Sequence, residues 1–179
     1  MYVDPQVAEW TKLGERRIRD GFRPILGRRY RLPSGVEREF EIKLEDDTAV
    51  IVALTTSQHV VLVREFRPGV EEELLELPGG VVEEGEQPLE AARRELLEET
   101  GYVGELEPAG SMVDCAYSTR IRHVFIARSS RRVADPSPEE GEAPTVVMMP
   151  LDDFRAHLRT GRLTDVGPAY LALDRLRLL

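Results

Sequence analysis

The stretch from Gly80 to Tyr102 constrains the fold of this chain more than any other part of its sequence. Within it, Pro88 opens a run of helix-forming residues that ends at Thr100 and is followed by Gly101. Proline is favoured in the first turn of a helix, and glycine is favoured just past its end. The pattern therefore predicts a helix, and the preceding Pro78-Gly79-Gly80 predicts a sharp turn before it.

Three glutamates of this helix are the first indication of chemistry. Glu95, Glu98 and Glu99 are spaced i, i+3 and i+4, which places their carboxylates on one helix face. Like charges at this spacing repel by about 0.2–0.5 kcal/mol per pair unless a cation lies among them. Carboxylate oxygens select hard cations such as Mg²⁺ or Mn²⁺. Taken alone, the cluster fits either a metal site or a solvated helix face, and Arg94 beside it is expected to orient one of the carboxylates.

The residues on either side of this helix predict a mixed sheet, because apolar runs alternate with turn-forming residues and two helical patterns close the chain. The predicted strands are Arg28–Pro33, Val36–Lys43, Thr48–Leu54, His59–Phe66, Glu73–Leu77, Glu105–Cys115, Ile121–Arg128 and Val146–Met149, and the later helices are Leu151–Thr160 and Gly167–Leu178. No internal repeat or linker divides the chain. Residues 1–179 are therefore predicted to form one domain, a mixed α/β sandwich that begins with a β-rich segment at about residues 1–45.

The balance of charge limits the partners of this chain. It has 33 acidic against 24 basic residues, a formal net charge of -9, so we expect it not to bind nucleic acid. No apolar run approaches the roughly 20 residues of a membrane-spanning helix, and the N-terminal residues lack the pattern of a signal peptide. Cys115 is the only cysteine, which excludes an intramolecular disulfide and suits a cytoplasmic location. We interpret Cys115 as a core residue in a strand.

The spacing of the glycines and charged residues in the helical stretch resembles the Nudix box, G-x5-E-x7-R-E-U-x-E-E-x-G-U, in which U is apolar. The last position departs from the pattern, because Tyr102 stands where an aliphatic residue is usual. The matching residues are Gly80, Glu86, Arg94, Glu95, Leu96, Glu98, Glu99 and Gly101. The resemblance covers most of the chain, which looks most like the ADP-ribose pyrophosphatase branch. It implies an α+β fold, a Nudix-type α/β/α sandwich with a mixed sheet and a central catalytic helix.

The same resemblance implies a site for Mg²⁺, which Mn²⁺ or another divalent cation can also fill. Glu95 and Glu99 would be the principal ligands, and Gly79 would contribute its backbone carbonyl. Glu98 would be a further ligand that also takes part in catalysis. Arg94 is assigned to the catalytic residues as well.

A later loop, Glu139–Glu142, offers candidates for the general base that deprotonates the attacking water. Glu140 is the first choice as base and Glu142 as a further metal ligand, but the choice of base among Glu139, Glu140 and Glu142 stays open. Before the box, Arg67 is expected to contact the diphosphate through its guanidinium. Glu76 matches a position that lies near the nucleotide in the family that this sequence resembles.

The activity implied is Mg²⁺-dependent hydrolysis of the diphosphate bond in a nucleoside diphosphate linked to another group. ADP-ribose, cleaved to AMP and ribose 5-phosphate, is the first expectation. Members of this branch commonly have a proline shortly after the box, but Met112–Arg120 has none. Sugar nucleotides of the GDP-mannose type, NADH and FAD are therefore alternatives, as are a nucleotide-sensing module without catalysis and a scaffold with an acidic helix. The resemblance also implies a homodimer in which the β-rich segment packs across the partner.

Overall fold

The structure, a computed structural model, describes residues 9–137 and 144–179. Within these residues the chain forms two compact units. The smaller unit contains the residues up to Asp46 together with Val113–Arg120, and the larger contains Asp47–Met112 and Ile121–Leu179. The elements in chain order are β1 (Thr11–Arg19), β2 (Ile25–Arg31), β3 (Glu37–Lys43), β4 (Thr48–Leu54), β5 (His59–Arg67), β6 (Glu72–Glu76), β7 (Gly79–Val81), α1 (Pro88–Thr100), β8 (Tyr102–Val113), β9 (Ile121–Arg132), β10 (Thr145–Pro150), α2 (Leu151–Leu158) and α3 (Val166–Leu176).

The smaller unit contains an antiparallel sheet in which β2 lies between β1 and β3. The pairing of β2 with β3 confirms the strands predicted on either side of Gly35, which adopts the positive φ of 83° that suits a tight turn. Strand β1 was not predicted from the sequence. Nearly all of its side chains are exposed, so its residues show no alternation of apolar and polar types.

The larger unit is built on a mixed sheet, whose described strands follow the order β10-β5-β4-β9-β8, with β6 beside β5 and β7 beside β4. β4 is parallel to β9 and antiparallel to β5 and β7. This arrangement places the short strand β7 next to the centre of the sheet. Residues that precede α1 are therefore paired with the buried strand β4.

Alternating side chains of β4 point to opposite sides of this sheet. Ala49 and Ile51 pack against α1, whereas Val50 and Val52 pack against α2 and α3 in a cluster that includes Phe154. Each large apolar side chain buried in this way stabilises the fold by about 1.5–3 kcal/mol. Helices thus cover both faces, which confirms the predicted α/β/α sandwich with a mixed sheet.

Two details of the sequence prediction were wrong. Gly79–Val81 forms a strand that pairs with β4, although the Pro78-Gly79-Gly80 run predicted a sharp turn there. Cys115 is exposed and follows the end of β8, so it is not a core residue. Among the described residues, no helix combines the length and the apolar character needed to cross a membrane. The single domain over residues 1–179 stays a prediction.

Candidate functional site

Helix α1 begins and ends at the residues that the sequence pattern predicted. Pro88 is its first residue, and the carboxylate of Glu90 accepts a hydrogen bond from the backbone N–H of Gln87 at 3.3 Å. At the other end, Gly101 adopts a φ of 72°, and its N–H donates to the carbonyl of Leu97 at 2.8 Å. These contacts satisfy backbone groups that helix ends otherwise leave unpaired. They make α1 a well-defined platform for its glutamates.

Arg94 joins three carboxylates on and near this helix. Its Nη2 and Nε donate to Glu86 at 3.0 and 3.1 Å. Its Nη1 donates to Glu95 at 2.8 Å and to Glu98 at 3.2 Å, and Nη2 also donates to the carbonyl of Val81 at 3.0 Å. A guanidinium that forms two bonds to one carboxylate has a defined orientation. Arg94 therefore orients Glu95 and Glu98 while Glu86 orients Arg94.

The charges of this network reinforce one another. The Arg94 guanidinium beside Glu86 holds the pKa of that carboxyl below its ordinary value, and Glu86 in turn raises the pKa of Arg94. Both groups are thus charged at neutral pH. Glu86 matches the motif, but no contact was predicted for it from the sequence. Its fixed place eight residues before Arg94 was the signal that could have revealed the pair.

Two glycines of β7 let the helix carboxylates approach the sheet. Glu99 Oε2 accepts a hydrogen bond from the backbone N–H of Gly79 at 2.9 Å. The carboxylate of Glu95 occupies the space where Gly80 has no side chain, because a Cβ there would lie 2.2 Å from Glu95 Oε1. A Cβ on Gly79 would lie 2.3 Å from the carbonyl oxygen of Ala49 in β4. Glycine is therefore needed at position 79 because the backbone of β4 lies close to it, and at position 80 because the carboxylate of Glu95 lies there.

Arg67 at the end of β5 and Glu76 at the end of β6 form an ion pair between neighbouring strands. Nε and Nη2 of Arg67 donate to the two carboxylate oxygens of Glu76, and Nη2 also lies 3.1 Å from a carboxylate oxygen of Glu65. Glu76 is 5% exposed, whereas the side chain of Arg67 is 43% exposed. Glu76 raises the pKa of Arg67, and the charge of Glu99 adds to this shift. The guanidinium therefore lies within electrostatic reach of Glu99 in α1.

The oxygen atoms near β7 have the chemistry of a site for a divalent cation. Across residues 9–137 and 144–179, no three Asp, Glu, His or Cys side chains form a ready-made metal-binding group. The carboxylates of Glu95 and Glu98 turn to Arg94, and that of Glu99 turns to the N–H of Gly79. Carboxylate and backbone carbonyl oxygens are nevertheless the hard ligands that Mg²⁺ prefers. The donor set therefore fits such an ion, and in this structure the three carboxylates form hydrogen bonds to Arg94 and to Gly79.

The remaining candidates, Glu139, Glu140 and Glu142, lie outside the described residues. The chain just before them is described, and Ser137 donates its N–H to the carbonyl of Glu98 at 2.7 Å. Residues 133–137 therefore form backbone hydrogen bonds to the C-terminal end of α1 and to Gly101, which follows it.

Comparison with known proteins decides the family. A family model described as the NUDIX domain matches residues 45–166, which include the box and the elements on both sides of it. The chain belongs to the Nudix family. This Nudix protein is 35% identical to an ADP-sugar pyrophosphatase of Mus musculus, over 72% of this chain and 67% of that protein. It is 29% identical to an ADP-ribose pyrophosphatase of Bacillus subtilis, over 82% of this chain and 80% of that protein.

A solved structure supports the same fold. A crystal structure of an ADP compounds hydrolase matches with a TM-score of 0.79 at 22% identity, over 97% of this chain and 95% of the other. The Nudix resemblance seen in the sequence is thus confirmed, and the chain is a hydrolase of nucleoside diphosphate compounds. The interpretations as a sensing module or a scaffold lose their support. The departure at Tyr102 affects packing, since its ring lies against the core cluster beneath α1.

Gly101 of this Nudix box is expected not to tolerate a side chain. Gly101→Ala places a β-carbon on a residue at φ 72°, where backbone strain costs about 1–3 kcal/mol, and 2.1 Å from the carbonyl oxygen of Ala134. We expect the Tm to fall by roughly 5 °C or more in thermal unfolding followed by circular dichroism. Gly161→Ala is the matched control, because Gly161 has a φ of 70° but an added Cβ there meets nothing within 4 Å. Equal losses in the two variants would show that the contact with Ala134 contributes nothing.

Proposed function

We propose that this Nudix hydrolase converts ADP-ribose to AMP and ribose 5-phosphate in the presence of Mg²⁺. The observation that carries the proposal is the placement of Glu95 and Glu99 beside Gly79 and Gly80, with Arg67 within electrostatic reach of Glu99. Relatives whose names specify ADP-ribose and ADP-sugars support this choice of substrate.

The residues around β7 would hold the metal. Glu95 and Glu99 would be the principal ligands, with Glu98, the carbonyl of Gly79 and Glu142 as further ligands. When bound there, Mg²⁺, or Mn²⁺ in its place, would offset the charge of the diphosphate and lower the pKa of water at the site. A divalent cation held on these carboxylates would suit an anionic substrate.

The side chains of the protein bind the substrate and accept a proton. Arg67, whose side chain is 43% exposed, would offer phosphate oxygens the guanidinium donors that Glu76 does not take, while the buried Glu76 fixes the orientation of that guanidinium. Arg94 keeps Glu95 and Glu98 in place. Glu140 is proposed to accept the proton of the attacking water. Attack at one phosphorus breaks the P–O–P bond and releases two monophosphates.

We also propose that the protein acts as a homodimer in the cytoplasm. In the smaller unit, Trp10 packs on Tyr30 and Phe40 with ring centroids 6.0 and 5.7 Å away, yet Trp10 is 53% exposed. A half-exposed aromatic ring on a defined cluster is common at protein interfaces. The single cysteine, Cys115, suits a reducing compartment.

A panel of substrates tests the proposed function. Purified protein with Mg²⁺ is incubated with ADP-ribose, GDP-mannose, NADH and FAD, and the released monophosphates are measured by chromatography. We expect kcat/KM for ADP-ribose to exceed that for each other compound by about tenfold or more. Contacts to one extra group in a binding pocket give discrimination of about this size. EDTA should abolish the activity, and added Mg²⁺ should restore it. Preference for another compound would overturn the choice of ADP-ribose, and activity in EDTA would overturn the metal.

A further inference from the structure

Glu65 is a second carboxylate that contacts the guanidinium of Arg67. The two residues are separated by one position in β5, so their side chains lie on the same face of the sheet. Nη2 of Arg67 lies 3.1 Å from Glu65 Oε2, and the Glu65 side chain is 23% exposed. Glu65 precedes the box, and the proposed reaction uses Arg67 and Glu76 without it. The contact therefore calls for a role of its own.

The orientation of Arg67 does not depend on Glu65. Nε and Nη2 of Arg67 donate to the two oxygens of Glu76, whose side chain is buried. Two parallel hydrogen bonds to one carboxylate already define the plane of a guanidinium. A glutamate beside a guanidinium is ionised at neutral pH. What Glu65 adds is therefore chiefly a negative charge.

That charge is in excess of what the guanidinium can offset. The single positive charge of Arg67 contacts the negative charges of both Glu65 and Glu76, and the charge of Glu99 also acts on it. The closest contacts of the two neighbouring carboxylates use Nε and Nη2, so an anion is expected at the donors of Nη1. An anion bound there is attracted by Arg67 and repelled by Glu65.

Hydrolysis changes the charge of the phosphate that binds at this position. In ADP-ribose each phosphate of the diphosphate has one ionised oxygen. The hydroxyl of the attacking water joins one phosphorus, and the other phosphate leaves with the bridging oxygen and takes up the remaining proton. Each product is then a phosphate monoester with a second pKa of about 6, so its charge at neutral pH is about -1.5 to -2.

The charge of Glu65 therefore acts more strongly on the products than on the substrate. A phosphate hydrogen-bonded to Arg67 would have its phosphorus roughly 7 Å from the Glu65 carboxylate, because each of the two contacts spans about 3 Å. At that distance in a water-exposed site, one pair of unit charges changes a binding constant by about threefold. A phosphate with twice the charge changes it by about tenfold.

We propose that Glu65 promotes product release, because it repels a phosphate monoester from Arg67 more strongly than it repels the diphosphate of the substrate. The inference rests on the proposed hydrolysis of ADP-ribose and on the proposed contact of Arg67 with the diphosphate. It divides the work between two carboxylates, since Glu76 orients the guanidinium and Glu65 discriminates between substrate and product.

The test measures the Kd values of ADP-ribose, AMP and ribose 5-phosphate by calorimetric titration of the full chain in EDTA, so that hydrolysis does not interfere. In Glu65→Gln, the Kd of ADP-ribose is expected to fall by about threefold, and that of the monoester that binds at Arg67 by about tenfold. A carboxylate that only supports the fold or orients Arg67 would change all three Kd values by one factor or raise them, and either result overturns the proposal.

Product inhibition gives a second measurement, which decides the outcome if binding in EDTA is too weak to titrate. During hydrolysis with Mg²⁺, the inhibition constant of one monoester should fall about threefold further than KM in Glu65→Gln. Equal changes in the inhibition constants and in KM would contradict the role of Glu65.

Two further variants separate charge from shape. Glu65→Asp keeps the charge, so its Kd values should stay within about twofold of those of the unsubstituted protein. Glu73→Gln makes the same chemical change as Glu65→Gln at an exposed residue of β6. The next residue in the alternation of Glu73, Leu75, packs against the cluster beneath α2 and α3, so Glu73 belongs to the opposite face of the sheet. Glu73→Gln should change each Kd by less than about twofold.

Arg67→Lys separates this inference from the proposed function, because an ammonium group cannot reproduce the paired hydrogen bonds of a guanidinium. If this variant binds all three ligands as tightly as the unsubstituted protein, the proposed contact of Arg67 with phosphate is wrong. If it weakens binding while Glu65→Gln shifts substrate and products equally, only the role of Glu65 is wrong.

Discussion

Glu99→Gln is expected to lower kcat/KM for nucleotide hydrolysis by about a hundredfold or more at saturating Mg²⁺. Groups that merely support metal ligands cost about 10–100-fold when they are lost, so removing the charge of a ligand should cost at least as much. Glutamine keeps the size of the side chain and can still accept the hydrogen bond from Gly79. The loss should therefore appear in activity and in apparent Mg²⁺ affinity, with little change in Tm.

The measurement is a set of initial rates at increasing Mg²⁺ concentration. Glu105→Gln is the control, because it makes the same chemical change at an exposed glutamate of β8 and should leave kcat/KM unchanged. Glu95→Gln should resemble Glu99→Gln, since Arg94 fixes its carboxylate beside Gly80. Normal turnover by Glu99→Gln with saturating Mg²⁺ would contradict the assignment of the helix carboxylates to the metal.

Gly80→Ala is expected to reduce kcat/KM by about a hundredfold in a protein that remains folded. The added Cβ would lie 2.2 Å from Glu95 Oε1, so this carboxylate must leave its place beside β7. Because the obstructing atom ends a flexible side chain, the clash can be relieved without moving the backbone. A displacement of about 1 Å at a catalytic group is enough for a loss of this size.

Steady-state kinetics and thermal unfolding together test this expectation. Gly69→Ala is the control, because Gly69 also precedes the helix but an added Cβ there meets nothing within 4 Å. A fully active Gly80→Ala variant would show that the close approach of Glu95 to β7 is not needed. A Tm that falls as far as it does in Gly101→Ala would show a general effect on the fold instead.

The helix and the face that carries its glutamates were predictable from the sequence because both depend on local spacing. Pro88 and Gly101 mark the ends of the helix, and the i, i+3, i+4 spacing fixes the common face of the three carboxylates. The buried strands β4 and β5 were predictable for a similar reason, since a continuous apolar run of this length is typical of a strand covered on both faces.

Contacts between distant residues were not predictable in this way. The pairing of Arg122 with Asp165 joins residues 43 positions apart, and no local pattern specifies it. The sequence suggested one carboxylate partner for Arg94, whereas the turn before α1 brings Glu86 to it as well. Strand β1 escaped prediction because it is exposed and pairs only at the edge of its sheet. The choice of base within Glu139–Glu142 stays a prediction.

The two faces of the sheet in the larger unit bury side chains of different size. Among the described residues, the thin layer beneath α1 has alanine at five of its nine buried positions, whereas the thick layer beneath α2 and α3 has alanine at two of fourteen and contains Phe154 and several leucines. The spacing between packed elements depends on the side chains at their contact, so α1 can lie close to the strands. Any larger residue in the thin layer would lift α1 and carry all its carboxylates away from β7 as one body. Stabilising substitutions can thus be sought on the thick side, where swaps of similar volume are tolerated, while the thin side sets the distance on which hydrolysis depends. The alanines of the thin layer are Ala49, Ala53, Ala91, Ala92 and Ala127.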